Sequence, residues 1–297
     1  MDERRGEALT LRTTVLTAIS MLAFAANSLL CRLALQRGEI DPVSFAGIRL
    51  VSGAVMLAVI ARFRSERASP SRADWLAAIM LLAYVVCFSF AYVSLPAGTG
   101  ALILFGAVQL TMFSAGLRLG EQFGTVAWLG LALAVAGLVY LVSPGVAAPP
   151  FLGAALMAIA GVAWGVYSLR GRGVADPLAA TARNFARAAP LAFLSGVLCI
   201  ATGHAYADTA GIVLALVSGA LTSGIGYFIW YAALEGLSSM RAATVQLSVP
   251  LIAAFGGVAF LSEAITPRLT LACAAILGGI ALALTRRSGM RRSKLPK

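Results

Sequence analysis

Two stretches decide the fold: Leu117–Leu141, LRLGEQFGTVAWLGLALAVAGLVYL, and Ala259–Ala283, AFLSEAITPRLTLACAAILGGIALA. Laid over each other without a gap, they put Glu121 on Glu263 and Gly137 on Gly279. Each has a polar break at its glutamate and then an apolar run close to the roughly 20 residues that cross a bilayer. A segment written twice in one chain predicts that its surroundings are written twice as well.

A second pair meets that expectation. FAANSLLCR at Phe24–Arg32 and WGVYSLRGR at Trp164–Arg172 share an aromatic residue, a serine-leucine pair and a final arginine at the same offsets. Each is followed by Asp-Pro, at Asp41-Pro42 and Asp176-Pro177. Aspartate as N-cap with proline at the first helical position opens a helix well, because the carboxylate accepts from free N–H groups and proline lacks one.

Between these landmarks the chain offers ten apolar spans, at about 13–36, 42–62, 73–94, 97–118, 124–142, 150–170, 178–202, 209–233, 240–262 and 268–285. The run TTVLTAISMLAFA inside the first, with Ala23-Phe24-Ala25, has the form of a signal-peptide core, but the apolar stretch continues to Leu35 and is read as a retained span. Of 297 residues, 60% are hydrophobic and 12% charged, about half the charged share of a soluble domain. The expected fold is an all-α integral membrane protein of ten transmembrane helices. Residues 1–145 form one five-helix repeat and 146–297 the second, with a basic tail, together making one transport unit. Five is odd, so the second copy enters the membrane from the opposite side: an inverted-topology 5+5 repeat.

The net charge of +11 follows topology. With the N-terminus cytoplasmic, all but six of the 23 cations fall on the inner side. Arg37 and Arg268 lie in outer loops, and Arg32, Arg49, Arg183 and Arg187 lie within spans. Arg62, Arg64, Arg67 and Arg72 crowd one inner loop, and Arg286, Arg287, Arg291, Arg292, Lys294 and Lys297 the tail. This asymmetry puts both termini inside a cell (inner) membrane. No aromatic residues interleave with the cations, so nucleic acid is not an expected partner. The four cysteines lie in apolar runs without paired metal spacing and read as small core residues.

Inverted repeats are the architecture of many secondary transporters, whose solute site lies at the midplane between the copies. Residues three and four apart share a helix face. In span 1 that stripe holds Ser20, Phe24, Asn27, Ser28 and Cys31, and in span 6 Ala160, Ala163, Trp164, Tyr167 and Ser168. Span 3 carries Tyr84, Phe88 and Tyr92, and span 8 Tyr227, Trp230 and Tyr231. Tyr92, Trp230 and Tyr231 equally suit an interfacial belt. Gln109 in span 4 and Gln246 in span 9, with Thr244 and Ser248, are amides and hydroxyls that lipid does not tolerate unpaired.

The candidate substrate-binding set is therefore Phe24, Asn27, Ser28, Tyr84, Phe88 and Gln109 from the first half. From the second come Trp164, Tyr167, Tyr227, Tyr231, Thr244 and Gln246. Ser28 also fits a simple cross-helix hydrogen bond. Arg49 could snorkel, pair with a neighbouring carbonyl or grip a substrate carboxylate, and reads as structural because a permanent charge in a path binds more than it releases. Arg32 reads as a snorkelling residue that could pair with Asp41. Spans 5 and 10 show small residues at four-residue spacing (Ala132, Ala136; Ala275, Gly279, Ala283) and read as scaffold or as a homodimer contact.

These residues also resemble a known group. Over its whole length the chain resembles the drug/metabolite transporter superfamily in its ten-helix EamA-like form. The resemblance rests on the aromatic-then-small entries of spans 1 and 6, the two Asp-Pro openings, Arg49 seven residues after Pro42, Pro250 in span 9, and the Gly120-Glu121 and Ser262-Glu263 ends. It is most similar to amino acid exporters of the YddG type, which implies export of aromatic and nonpolar amino acids. It departs from that pattern where span 4 has Val108-Gln109 against Pro250, and where span 7 has Asn184 at the offset of Arg49.

Several functions are excluded. There is no G-x-x-x-x-G-K-[ST], and the only lysines are Lys294 and Lys297, so P-loop ATP hydrolysis has no seat. One histidine, His204, cannot build a metalloenzyme, so no cofactor, no metal and no enzymatic activity are expected. All twelve acidic residues fall at span ends or in loops, which points to facilitated transport or exchange over tight proton coupling. A multidrug or cationic-amine exporter is the nearest rival, and a channel or structural membrane component the rival outside the carriers.

Overall fold

The computed structural model describes residues 2–63, 74–171, 174–237 and 239–285. Arg64, Arg67 and Arg72 of the basic loop, Arg172, and the basic tail from Arg286 lie outside the described residues. Among the described residues, all regular elements are helical, apart from one antiparallel bridge between Ile40 and Ala207. The helices are α1 (Asp2–Gln36), α2 (Pro42–Phe63), α3 (Trp75–Tyr92), α4 (Ala97–Arg118), α5 (Thr125–Val142), α6 (Phe151–Arg170) and α7 (Pro177–Ala201). There follow α8 (Thr209–Val217), a π-helical stretch Ser218–Ile225, α9 (Gly226–Leu234), α10 (Ser239–Gln246), α11 (Ser248–Leu261) and α12 (Pro267–Thr285). They make ten spans long and apolar enough to cross a membrane, the eighth being α8, the π stretch and α9, and the ninth α10 with α11.

The helix starts follow local chemistry. Asp41 accepts from the Val43 and Ser44 N–H groups, Asp74 from Ala77, Asp176 from Ala179 and Asp208 from Gly211. Span 9 breaks for a similarly local reason. Proline has no N–H, so Pro250 leaves the carbonyl four residues earlier without its helical partner. That carbonyl belongs to Gln246, the last residue of α10.

The packing carries the repeat. α1 packs on α9, the π stretch and α11; α6, its counterpart, packs on α3 and α4. α2 meets both α7 and the π stretch, and α7 in turn meets α3. α4 pairs with α11 and α5 with α12, each with its own equivalent. Exchanging the two halves maps this pattern onto itself, as an inverted five-helix repeat requires.

The two faces are tied differently. On the face where α1 ends, Arg32 donates from Nε to Glu263 Oε1 (3.2 Å) and from Nη1 to the Tyr92 and Val93 carbonyls. Glu263 also accepts the Ala97 N–H on both oxygens, capping α4. Burial pushes the Glu263 carboxyl above its usual range, against the pull of Ala97 and Arg32. The expected partner of Arg32, Asp41, is committed elsewhere: besides capping α2 it accepts the Tyr206 N–H. On the opposite face Arg170 pairs with Asp74 at 2.9 Å. Burial would raise the Asp74 carboxyl, but Arg170 and the Ala77 N–H hold it below its usual range.

The small-residue faces of spans 5 and 10 turn on each other. A Cβ on Gly130 would collide with the Gly279 carbonyl and come within 2.6 Å of the Ala283 nitrogen. That seam is spent inside the chain as scaffold. What these helices leave outward are large apolar side chains such as Trp128, Leu129, Leu133 and Leu271. A homodimer through spans 5 and 10 would have to use those instead of the glycines.

Candidate functional site

The halves enclose a cavity at mid-span. From the first half it is lined by Phe24, Asn27 and Ser28 of α1, Tyr84 and Phe88 of α3, and Leu104 and Phe105 of α4. The second half supplies Trp164 of α6, Thr222 and Ser223 of the π stretch, Tyr227 of α9 and Gln246 of α10. The space between them is about 440 Å³, its mouth included.

Aromatic rings make most of the wall. Trp164 stacks on Tyr227 (centroids 5.5 Å, 19°) and on Tyr167 (5.2 Å, 27°), and meets Tyr84 at 4.9 Å. Phe24 meets Tyr227 at 5.9 Å, and Tyr84 meets Phe88 at 5.3 Å. Trp164 thus joins rings of both halves, each contact worth about 0.5–1.5 kcal/mol beyond burial. A wall of this kind takes an apolar or aromatic side chain of a solute by area.

A polar seam crosses the wall where α1 meets the π stretch. Asn27 Oδ1 accepts from Ser218 (2.7 Å) and Thr222 (3.3 Å), while Asn27 Nδ2 donates to the Tyr84 hydroxyl (3.5 Å). That hydroxyl also accepts from Arg49 Nη2 (3.1 Å), and Ser223 Oγ accepts from Arg49 Nε (3.3 Å). Arg49 is only 1% exposed and lies over the Tyr84 and Phe88 rings at 5.2 and 5.0 Å. Its position follows from glycine: at Gly219 the π stretch lies so close to α2 that an added Cβ would strike the Arg49 carbonyl and Ser52 Oγ.

The chain matches the sequence pattern of the EamA-like transporter family twice, over residues 11–143 and 151–285. It belongs to the EamA-like transporter family. Its two matched segments meet at the α5–α6 connection, so one family unit corresponds to one five-helix half. Uncharacterized protein PA1977 of Pseudomonas aeruginosa is 54% identical over 278 residues, covering 94% of this chain and 96% of its own. An uncharacterized transporter of Archaeoglobus fulgidus is 27% identical over 258 residues, with 82% and 87% covered. A protein of known crystal structure at 18% identity superposes with a TM-score of 0.62 over 91% of this chain and 96% of that one, which shows a common fold.

In this EamA-like transporter, eight of the twelve residues expected at the site line one cavity: Phe24, Asn27, Ser28, Tyr84, Phe88, Trp164, Tyr227 and Gln246. Four do not. Gln109 faces a second space, lined also by Phe113 and Phe123 and by Ala283 of α12, while the cavity side of α4 carries Leu104 and Phe105. Tyr167 donates to Thr181 (3.2 Å) and Tyr231 shares a 2.7 Å hydrogen bond with the same hydroxyl, which holds both against α7 behind the wall. Thr244 is exposed on α10.

Sequence reading passed over Leu104, Phe105, Ser218, Thr222 and Ser223, and preferred a structural role for Arg49 over a grip on a substrate carboxylate. The signal for the hydroxyls was present: SGALTSGI, residues 218–225, places three of them and two glycines inside an apolar span. Their convergence on Asn27 depends on the π turn, which no periodicity of 3.6 residues foretells.

Proposed function

We propose that this protein is a secondary transporter of the drug/metabolite type that exports amino acids with aromatic or nonpolar side chains through the central cavity. It lies in the cell's inner membrane with both termini cytoplasmic, as the placement of its cations favours. One observation carries the reading: a cavity between inverted halves whose wall is aromatic and whose seam is amide and hydroxyl. The rings suit an apolar side chain and the seam a charged, hydrogen-bonding head. Alternating access then follows from rocking one half against the other, with the broken helix of span 9 and the π turn of span 8 as bending points.

A cationic-amine exporter is less well supported. It would want a carboxylate in the wall, and among the described residues the charged group nearest the lining is the Arg49 guanidinium.

Purified protein in liposomes preloaded with unlabelled phenylalanine or leucine is expected to accumulate the labelled amino acid by counterflow, saturably. Flux that is linear in solute and blind to preloading would mark a channel and sink the carrier reading. Trp164→Ala should lower counterflow about three- to tenfold at near-normal folded yield, because it removes the ring that joins both halves. A second expectation concerns coupling. Among the described residues Asp41, Asp74, Asp176 and Asp208 cap helices, Asp41 also accepting the Tyr206 N–H; Glu39 and Asp74 pair with Arg37 and Arg170, Glu263 pairs with Arg32, and no acidic residue lines the cavity. A pH step imposed across liposomes that hold no preloaded solute should therefore leave net uptake within about twofold of that at equal pH; uphill accumulation driven by the step would require a proton-coupled cycle.

A further inference from the structure

Arg49 is the largest fully buried side chain among the described residues, and its charge is permanent. Among the described residues it pairs with no carboxylate. Its partners are two hydroxyls, on Tyr84 and Ser223, and two ring faces, while Nη1 has no hydrogen-bond partner at all. A guanidinium so placed is short of negative charge, since hydroxyls and rings return only part of what desolvation takes.

The two hydroxyls are also unusual in what they have left to give. Tyr84 accepts from Arg49 and Asn27, and Ser223 accepts from Arg49; neither donates to a protein group among the described residues. Both line the cavity. They sit on adjacent nitrogens of one guanidinium, Nε and Nη2, whose spacing matches the two oxygens of a carboxylate. A hydroxyl that accepts from a cation is polarised, and its own proton becomes a better donor.

We infer that the Tyr84 and Ser223 hydroxyls, backed by Arg49, form the receptor for a carboxylate on the transported solute. This rests on the proposed transport function and specifies what the solute must carry. The solute meets two O–H donors, with the guanidinium one layer behind them. The device favours an anion while keeping a bare permanent charge out of the path, so that binding stays weak enough for release. The solute's carboxylate supplies the counter-charge that Arg49 lacks, and Gln246, also in the lining, offers an amide for the remainder of the polar head.

The test compares 3-phenylpropionate with its uncharged isostere 3-phenylpropanamide on the full-length protein. In wild type the carboxylate should inhibit phenylalanine counterflow, and raise the melting temperature in detergent, at concentrations at least about fivefold below those of the amide. In Tyr84→Phe/Ser223→Ala that ratio should fall to near one while each compound's aromatic-driven binding persists. Equal action of the two compounds on wild type overturns the inference, as does an undiminished preference in the double variant. If the double variant does not fold, Ser223→Ala alone must lower the ratio, and an unchanged ratio overturns it equally. Should phenylalanine not be carried, the transport reading fails, and the melting-temperature comparison still decides the receptor.

Discussion

Gly219→Ala is expected to abolish most folded protein, the largest effect of any single added methyl among the described glycines. The added Cβ would overlap Ser52 Oγ and the Arg49 carbonyl oxygen, with the Arg49 carbonyl carbon 2.9 Å away. Ser52 can rotate, but the α2 backbone cannot yield without moving Arg49 and the hydroxyls it holds. Overpacking of this kind costs about 1–3 kcal/mol where side chains give way, and more where backbone is the obstacle. The control is Gly196→Ala in α7, where a Cβ meets nothing within 4 Å. There the change should be neutral or slightly stabilising, since alanine is the better helix former. Folded yield and melting temperature by size-exclusion fluorescence read both. Adding Ser52→Gly should not rescue Gly219→Ala; full rescue would place the obstacle in the serine and leave the backbone contact without consequence.

Asn27 is the second. Its amide is where α1, α3 and the π stretch are joined, and two replacements should separate its structural duty from its functional one. Asn27→Ala leaves the buried Ser218 hydroxyl without its acceptor and deprives Thr222 and Tyr84 of a partner. An unsatisfied buried group costs about 1–3 kcal/mol, so both melting temperature and transport should fall. Asn27→Asp keeps the acceptor for Ser218 and Thr222, so folding should survive. It also places an anion beside the Tyr84 hydroxyl, where it would satisfy the charge of Arg49 and repel an incoming carboxylate. Counterflow should then drop at least about tenfold with near-normal yield. An Asn27→Asp protein that transports normally would argue that the seam holds helices together and does nothing for solutes.

The placement of Gln109 shows where reading by residue type stops. Gln109 and Gln246 are equivalent by chemistry, each an amide deep in an apolar span. They are not equivalent in three dimensions. The register that lays Glu121 on Glu263 also lays Leu104 on Gln246, and both line the cavity; it lays Gln109 on Leu251, which is exposed, and Gln109 turns to the second space. The two glutamines thus occupy different positions of the repeat, and residue type alone does not tell them apart. Arg32 makes the same point about partners. Asp41 is near in sequence but is used up as an N-cap, and Glu263, more than two hundred residues away, is brought to it by the inverted repeat.

From residues alone came the ten spans, the five-plus-five repeat with its inversion, the Asp-Pro helix starts and the aromatic stripe of the cavity. All of these are local or periodic properties, set by hydropathy, capping and spacing within one helix. Only the tertiary structure decided which glycines let backbones touch, where a helix widens to a π turn, and which polar groups share a proton or a charge. Those depend on distances between segments far apart in the chain. A buried arginine becomes a structural strut or a hidden counter-ion according to the two hydroxyls that happen to close over it.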